Sequence, residues 1–150
     1  MTERTDLSTQ VYQVFIRTTP ERIWAAITDP DETERYFHGA RIHNTPERHV
    51  SHGPGGQTWG DGAVYEWDPP HRLAHEWGSL YDPELASEPA SRVTWEIEQQ
   101  EGGVCLLTVT HDRLEEAPRT AASVAGRGWM FVLSGLKTVL ETGQPLARSN

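Results

Sequence analysis

The 150-residue sequence predicts an α+β fold in which a run of antiparallel strands offers one aromatic face to a single closing helix. Three observations predict it. "SRVTWEIEQ" alternates Val93, Trp95 and Ile97 with Arg92, Thr94, Glu96 and Glu98, as a strand with one face in a core must. "AVYEWDPPHRLAHEW" reads as two such runs folded about a Pro-Pro turn, with Ala63, Tyr65 and Trp67 on one side of the first and Leu73, His75 and Trp77 on one side of the second. From Arg127 to Thr142 the period changes, and Trp129, Leu133, Leu136 and Leu140 recur at i, i+4, i+7 and i+11, the apolar stripe of an amphipathic helix. A sheet with one polar and one aromatic face needs one cover, and this helix supplies it.

The elements follow in order. "QVYQVFIRT" alternates Tyr12, Val14 and Ile16 with Gln13 and Arg17, a first strand. "TTPERIWAAITD" is a short helix, with Thr19 at the N-cap, Pro20 at the first helical position, Ile23 and Ile27 on one face and Pro30 as the stop. A second helix begins at once on Asp29, Pro30 and Glu32, and "ETERYF" carries it to Gly39. "ARIHN" and "RHVSH" form a weak hairpin about "TPE", and "GPGGQTWGDG" reads as a loop. After the aromatic hairpin, "GSLYDPELASEP" is a surface connection placed near a pocket mouth. "EGG" turns the chain from "SRVTWEIEQ" into "VCLLTVTHDRL", a strand apolar enough to be central. "APRTAASVAGRG" is helical from Pro118 and bent or interrupted by Gly126 and Gly128, the last helix ends at Gly143, and "PLARSN" frays.

Composition narrows the function classes. The length suits one domain, 1–150, with its core over about 10–143. Thirteen basic against twenty-two acidic residues give a net charge of -9, which repels phosphate backbones and anionic lipid, so neither nucleic acid nor membrane is an expected partner. "MTERTDLSTQ" lacks the basic-then-apolar order of a signal peptide, and a cytoplasmic location is the default expectation. The lone Cys105, in "GVCLLTV", is read as an inert strand residue. The chain has no GxSxG nucleophile elbow or phosphate-binding P-loop motif, and none of its histidine spacings matches HExxH or paired CxxC. No catalytic residue, metal site or cofactor is assigned; His43, His49 and His52, near expected loops, are read as solvent-exposed.

At this point the chain resembles a known family. "PERIWAAITDPDETERYF", "WDPPHRLAHEW", "TVTH" and "GWMFVLSGLKTVLE", in that order, are similar to the Hsp90-ATPase-activator-homologue branch of the START/Bet v 1-like (SRPBCC) superfamily. The resemblance covers roughly residues 10 to 143. It implies a helix-grip fold: a curved antiparallel sheet of six or seven strands around a long C-terminal helix, with two short helices after strand 1 and a cavity between sheet and helix. Relatives bind lipids, sterols, hormones or polyketides, some act as cyclases or aromatases, and the namesake stimulates a chaperone, so the resemblance fixes architecture better than activity. "SHGPGGQTWGDG" stands where the family has a glycine-rich strand, and the pocket mouth is not carried over from the resemblance.

The aromatic face is either an all-purpose core or the wall of a ligand cavity. Tyr and Trp carry polar tips that need partners when buried, and a cavity needs apolar walls with a few convergent polar groups. The candidate ligand-binding residues are Trp24, Phe37, Trp59, Tyr65, Trp67, Leu73, His75, Trp77, Val93, Trp95, His111, Trp129 and Leu133. His75 and His111 are each open to three roles: a bonded core histidine, a group orienting a ligand, or a general acid or base. The leading expectation is a monomeric or homodimeric protein that binds or transports a small apolar or aromatic molecule. A cyclase- or aromatase-type enzyme using a pocket histidine and a chaperone-associated interaction module are the alternatives.

Overall fold

A computed structural model describes residues 7–147; residues 148–150, at the end of the segment expected to fray, lie outside it. β1 (Gln10–Ile16) leads into α1 (Pro20–Thr28) and α2 (Pro30–Thr33). β2 (Arg41–Asn44), β3 (Arg48–His52), β4 (Thr58–Asp68) and β5 (Arg72–Trp77) follow, then the short α3 (Pro83–Ala86). β6 (Ser91–Gln99), β7 (Cys105–Asp112), α4 (Pro118–Val124) and α5 (Arg127–Thr142) complete the chain. The strands form one seven-stranded antiparallel sheet in the order β1-β7-β6-β5-β4-β3-β2, so the two early helices connect its opposite edges. The sheet is curved and α5 lies on its concave side, the helix-grip arrangement.

Local chemistry sets the boundaries. The Thr19 hydroxyl accepts from the Arg22 amide to start α1, and the Asp29 side chain accepts from the Asp31 amide to start α2. The second helix stops at Thr33 rather than running to Gly39. There the Thr33 hydroxyl donates to the Ala40 carbonyl and accepts from the Ile42 amide, pulling the chain toward β2, while His38 and Gly39 both take positive φ. α5 ends as the sequence predicts, with Gly143 left-handed and its N–H on the Val139 carbonyl.

Two differences arise in β4. The loop before it occupies only 53–57, and the strand begins at Thr58, inside the segment read as a loop. Gly60 and Gly62 are strand residues, present because neighbours come close: a Cβ at Gly60 would lie 2.9 Å from the Ser51 hydroxyl, and one at Gly62 would lie 2.7 Å from Glu76 Cβ. Further on, a β-bulge between Val64 and Glu66 inserts one extra residue against β5. It reverses the alternation, so Val64 and Trp67 pack inward and Tyr65 turns out.

The core lies between sheet and helix. Leu73, Val93, Ile97, Leu107 and Val109 from the strands meet Val132, Leu133, Leu136 and Val139 of α5. Gly135 lets α5 approach α2's trailing turn, where an added Cβ would sit 3.1 Å from Tyr36 Cβ. On the convex face, Arg72 pairs with Glu66 and Glu96, and Arg92 makes a bidentate pair with Asp112. No described helix is long and apolar enough to cross a membrane.

Candidate functional site

Between the sheet and the α4–α5 junction lies a cavity of ≈ 270 Å³. Phe37, Trp59, Trp77, Tyr81 and Trp129 supply its aromatic walls, with Ala40, Ile42, Val124 and Val132 as aliphatic fill. Phe37 lies 6.0 Å from both Trp77 and Trp129, and Trp77 lies 5.8 Å from Trp129. Such centroid distances are those of interacting aromatic pairs. The polar lining is His38, His49, Ser51 and Ser123. Among the described residues no Asp, Glu, Lys or Arg lines the cavity, although charged residues make up 23% of the sequence.

Three histidines stand at or behind the wall, and their hydrogen bonds fix their tautomers. The Trp95 indole donates to His75 Nε2 at 3.0 Å, so His75 Nδ1 carries the proton and donates to the Glu76 carbonyl. The Trp129 indole donates to His111 Nδ1 at 3.1 Å, so Nε2–H donates to the Ser91 hydroxyl. At the third, Asn44 gives its amide N–H to the Ile27 carbonyl, which leaves its oxygen to accept from His49 Nδ1 at 2.6 Å. His49 Nε2 is therefore a bare acceptor, and it has no hydrogen-bond partner among the described residues. His49 stacks on His75 with centroids 3.8 Å apart and planes 7° apart.

Burial keeps all three rings neutral. It lowers His75 to about 4, with the Glu76 carbonyl opposing, and lowers His111 to about 3, aided by His75 and opposed by Asp112. His49 is held well below the usual range, first by burial and then by His75. Among the described residues one buried side-chain donor stays orphaned, the indole N–H of Trp77, which is sealed within the wall without a partner.

The sequence-predicted site residues divide into three groups. Phe37, Trp59, Trp77 and Trp129 line the cavity. His75, Trp95 and His111 form the hydrogen-bonded layer behind it, while Leu73, Val93 and Leu133 are buried core and Trp24 and Trp67 pack edge-to-face at 5.0 Å away from it. Tyr65 corrects the expectation: it is 49% exposed, its hydroxyl reaches Glu76 and the Arg113 guanidinium lies 5.5 Å from its ring, because the bulge turned it outward. His49 corrects another. It was expected at the surface and is 5% exposed, whereas His43 and His52 are exposed. Ser51 and Tyr81 also escaped notice. The missed signal is the phase of "RHVSH", in which His49 and Ser51 alternate inward with Val50 between them. Among the described residues no group of three or more His, Cys, Asp or Glu is placed to hold a metal.

Comparison with known proteins agrees with this architecture. The sequence profile of the family described as Activator of Hsp90 ATPase homolog 1-like protein matches residues 17–141. Among solved structures, MLL2253 from Mesorhizobium loti is 23% identical with a TM-score of 0.72, over 89% of this chain and 96% of that one. CalU16 from Micromonospora echinospora is 23% identical with a TM-score of 0.68, over 91% and 76%. DynU16, a protein of the dynemicin biosynthetic locus, is 22% identical with a TM-score of 0.69, over 92% of this chain and 49% of that one. At these identities the likeness is one of fold. No curated protein matches the sequence. The profile spans most of the chain and the fold is shared with the solved relatives, so the chain belongs to the Activator of Hsp90 ATPase homolog 1-like family.

Proposed function

We propose that the protein binds a small hydrophobic or aromatic molecule in the cavity between its sheet and α5. The observation that carries this is an aromatic-walled space that a packed core would not leave, lined by an imidazole with a free acceptor. A packed core hydrogen-bonds its polar groups and leaves few voids larger than a water. Here His49, whose Nε2 has no hydrogen-bond partner among the described residues, lines ≈ 270 Å³ of space. Dispersion and stacking against Phe37, Trp59, Trp77 and Trp129 supply most of the affinity, and the few polar atoms set orientation.

A cyclase- or aromatase-type reading needs a ring nitrogen free to move a proton at the cavity. His75 and His111 are engaged on both nitrogens. Among these three only His49 keeps one for such a role, and His38 also lines the cavity, so an enzymatic reading runs through His49 or His38.

Native mass spectrometry of freshly purified protein, with a thermal-shift screen of fatty acids, flavonoids and polyketide aromatics, tests the binding reading. A true ligand at a hundredfold excess over its Kd adds about 2.7 kcal/mol of stability. That raises the melting temperature of a chain this size by several degrees, at roughly 2–4 °C per kcal/mol. A silent screen together with an unliganded mass defeats the proposal.

A further inference from the structure

We infer that the cavity selects an uncharged, hydroxylated aromatic of about two fused rings, and that His49 Nε2 accepts the hydrogen bond of its hydroxyl. The inference rests on the binding reading and narrows it to a chemical class. Size comes first. A cavity of about 150 Å³ holds one benzene, and this one offers ≈ 270 Å³.

Charge follows from the lining, which among the described residues holds no Asp, Glu, Lys or Arg; of its two imidazoles His49 is buried and His38 is exposed. A carboxylate or ammonium brought here loses its water and finds no counter-charge, a cost of several kcal/mol. Long-chain acids and amines are thereby disfavoured, and neutral ligands are not. Planarity follows from the walls, where Phe37, Trp77 and Trp129 pack on one another at tilted and edge-on angles and line the space with aromatic surface, on which a further flat ring packs as these rings do.

The hydroxyl follows from the polar atoms. His49 cannot offer Nε2 as a donor, because Asn44, itself oriented by the Ile27 carbonyl, keeps the proton on Nδ1. A carbonyl-only ligand therefore finds no donor at His49, whereas an O–H donates to it. A hydroxyl is the smallest substituent that donates to His49 Nε2 and still keeps lone pairs for a second partner. Ser51, buried on the same strand as His49 and on the same wall, adds a rotatable hydroxyl.

The test titrates naphthalene, 2-naphthol and 2-naphthoate into the protein at pH 7.5 and reads quenching of its six tryptophans. 2-Naphthol is expected to bind about tenfold more tightly than naphthalene, the worth of one well-made hydrogen bond, and 2-naphthoate more weakly than either. His49→Phe keeps a ring against His75 and removes the acceptor, so it should bring 2-naphthol down to the affinity of naphthalene. Independently of any variant's folding, nitrogen NMR of the wild type should show the unprotonated His49 Nε2 resonance moving with 2-naphthol and not with naphthalene. Equal binding of naphthalene and 2-naphthol, a preference that survives in His49→Phe, an unmoved Nε2 resonance or tightest binding of 2-naphthoate overturns the inference and leaves the binding reading standing. If none of the three binds, this inference falls alone when the wider thermal-shift screen yields a ligand, and both fall when it does not.

Discussion

Trp95 behind the cavity wall and Trp129 within it each hand an N–H to an imidazole that would otherwise be buried with an unpaired lone pair. Trp95→Phe keeps most of the ring but strands His75 Nε2, whose other nitrogen is committed to the Glu76 carbonyl. An unsatisfied buried acceptor costs about 1–3 kcal/mol. The urea midpoint of Trp95→Phe should fall accordingly with an unchanged m-value, and an unaltered midpoint would show that the bond contributes nothing. His75 and His111 were legible as inward-facing because strand alternation places them beside Leu73, Val93 and Val109. Their partners were not, since Trp95 lies 20 residues from His75 and Trp129 lies 18 from His111, distances at which no local pattern reports a contact. His49 was hidden for a different reason. An imidazole in a polar pentapeptide looks solvated until Asn44 across the β2–β3 hairpin gives it a partner and His75 gives it a ring to stack on.

Among the elements, α5 was read from the sequence to the residue, because a 16-residue stripe of period 3.6 and a terminal glycine leave little choice. β4 was read half correctly. Its bulge depends on pairing with β5, so nothing in "AVYEW" alone distinguishes Tyr65 inward from Tyr65 outward. α4 shows how a connection becomes part of the site. Its own N-cap residue, Ala117, offers no side-chain acceptor. The missing cap comes from Glu88, just beyond α3, whose carboxylate accepts from the Arg119 and Thr120 amides and the Thr120 hydroxyl. Burial pushes that carboxyl up, but these three donors outweigh it and hold it below the usual range. The latch ties the segment carrying Tyr81 to the helix carrying Ser123 and Val124, and all three line the cavity. Glu88→Ala should therefore speed amide exchange from Thr120 to Val124 and shorten the residence time of a bound ligand, while β6 and β7 amides keep their protection. Hydrogen exchange by mass spectrometry checks this, and unchanged exchange in α4 would rule the latch out.

At the scale of the whole molecule, three neutral histidines stacked or hydrogen-bonded in one layer make folding sensitive to mild acid. In the unfolded chain each titrates near 6.5, whereas burial holds His75 near 4, His111 near 3 and His49 well below its usual range. Between those limits the unfolded state binds more protons, so stability rises with pH and is lost as pH falls below about 6.5. Each histidine contributes a slope of up to about 1.4 kcal/mol per pH unit. Two other pH-dependent effects are separable from this one. The net charge of -9 shrinks toward the isoelectric point near 5.2, which relieves self-repulsion and favours the folded state on acidification. That relief concerns surface charges already screened over about 8 Å at physiological salt, so the buried histidines outweigh it. Asp112, held down by Arg92, and Glu141, held down by Lys137, contribute stability above the usual carboxylate pKa and lose it only as pH drops through their lowered values. The interval from pH 6.5 to 5 therefore isolates the imidazoles. Urea midpoints should fall steadily across it, by an amount equivalent to up to about 2 kcal/mol per buried histidine at pH 5 relative to pH 7. His49→Phe, with one titrating ring fewer, should show a shallower fall, and a midpoint that stays level or rises toward pH 5 would mean that these rings are not held neutral in the folded protein.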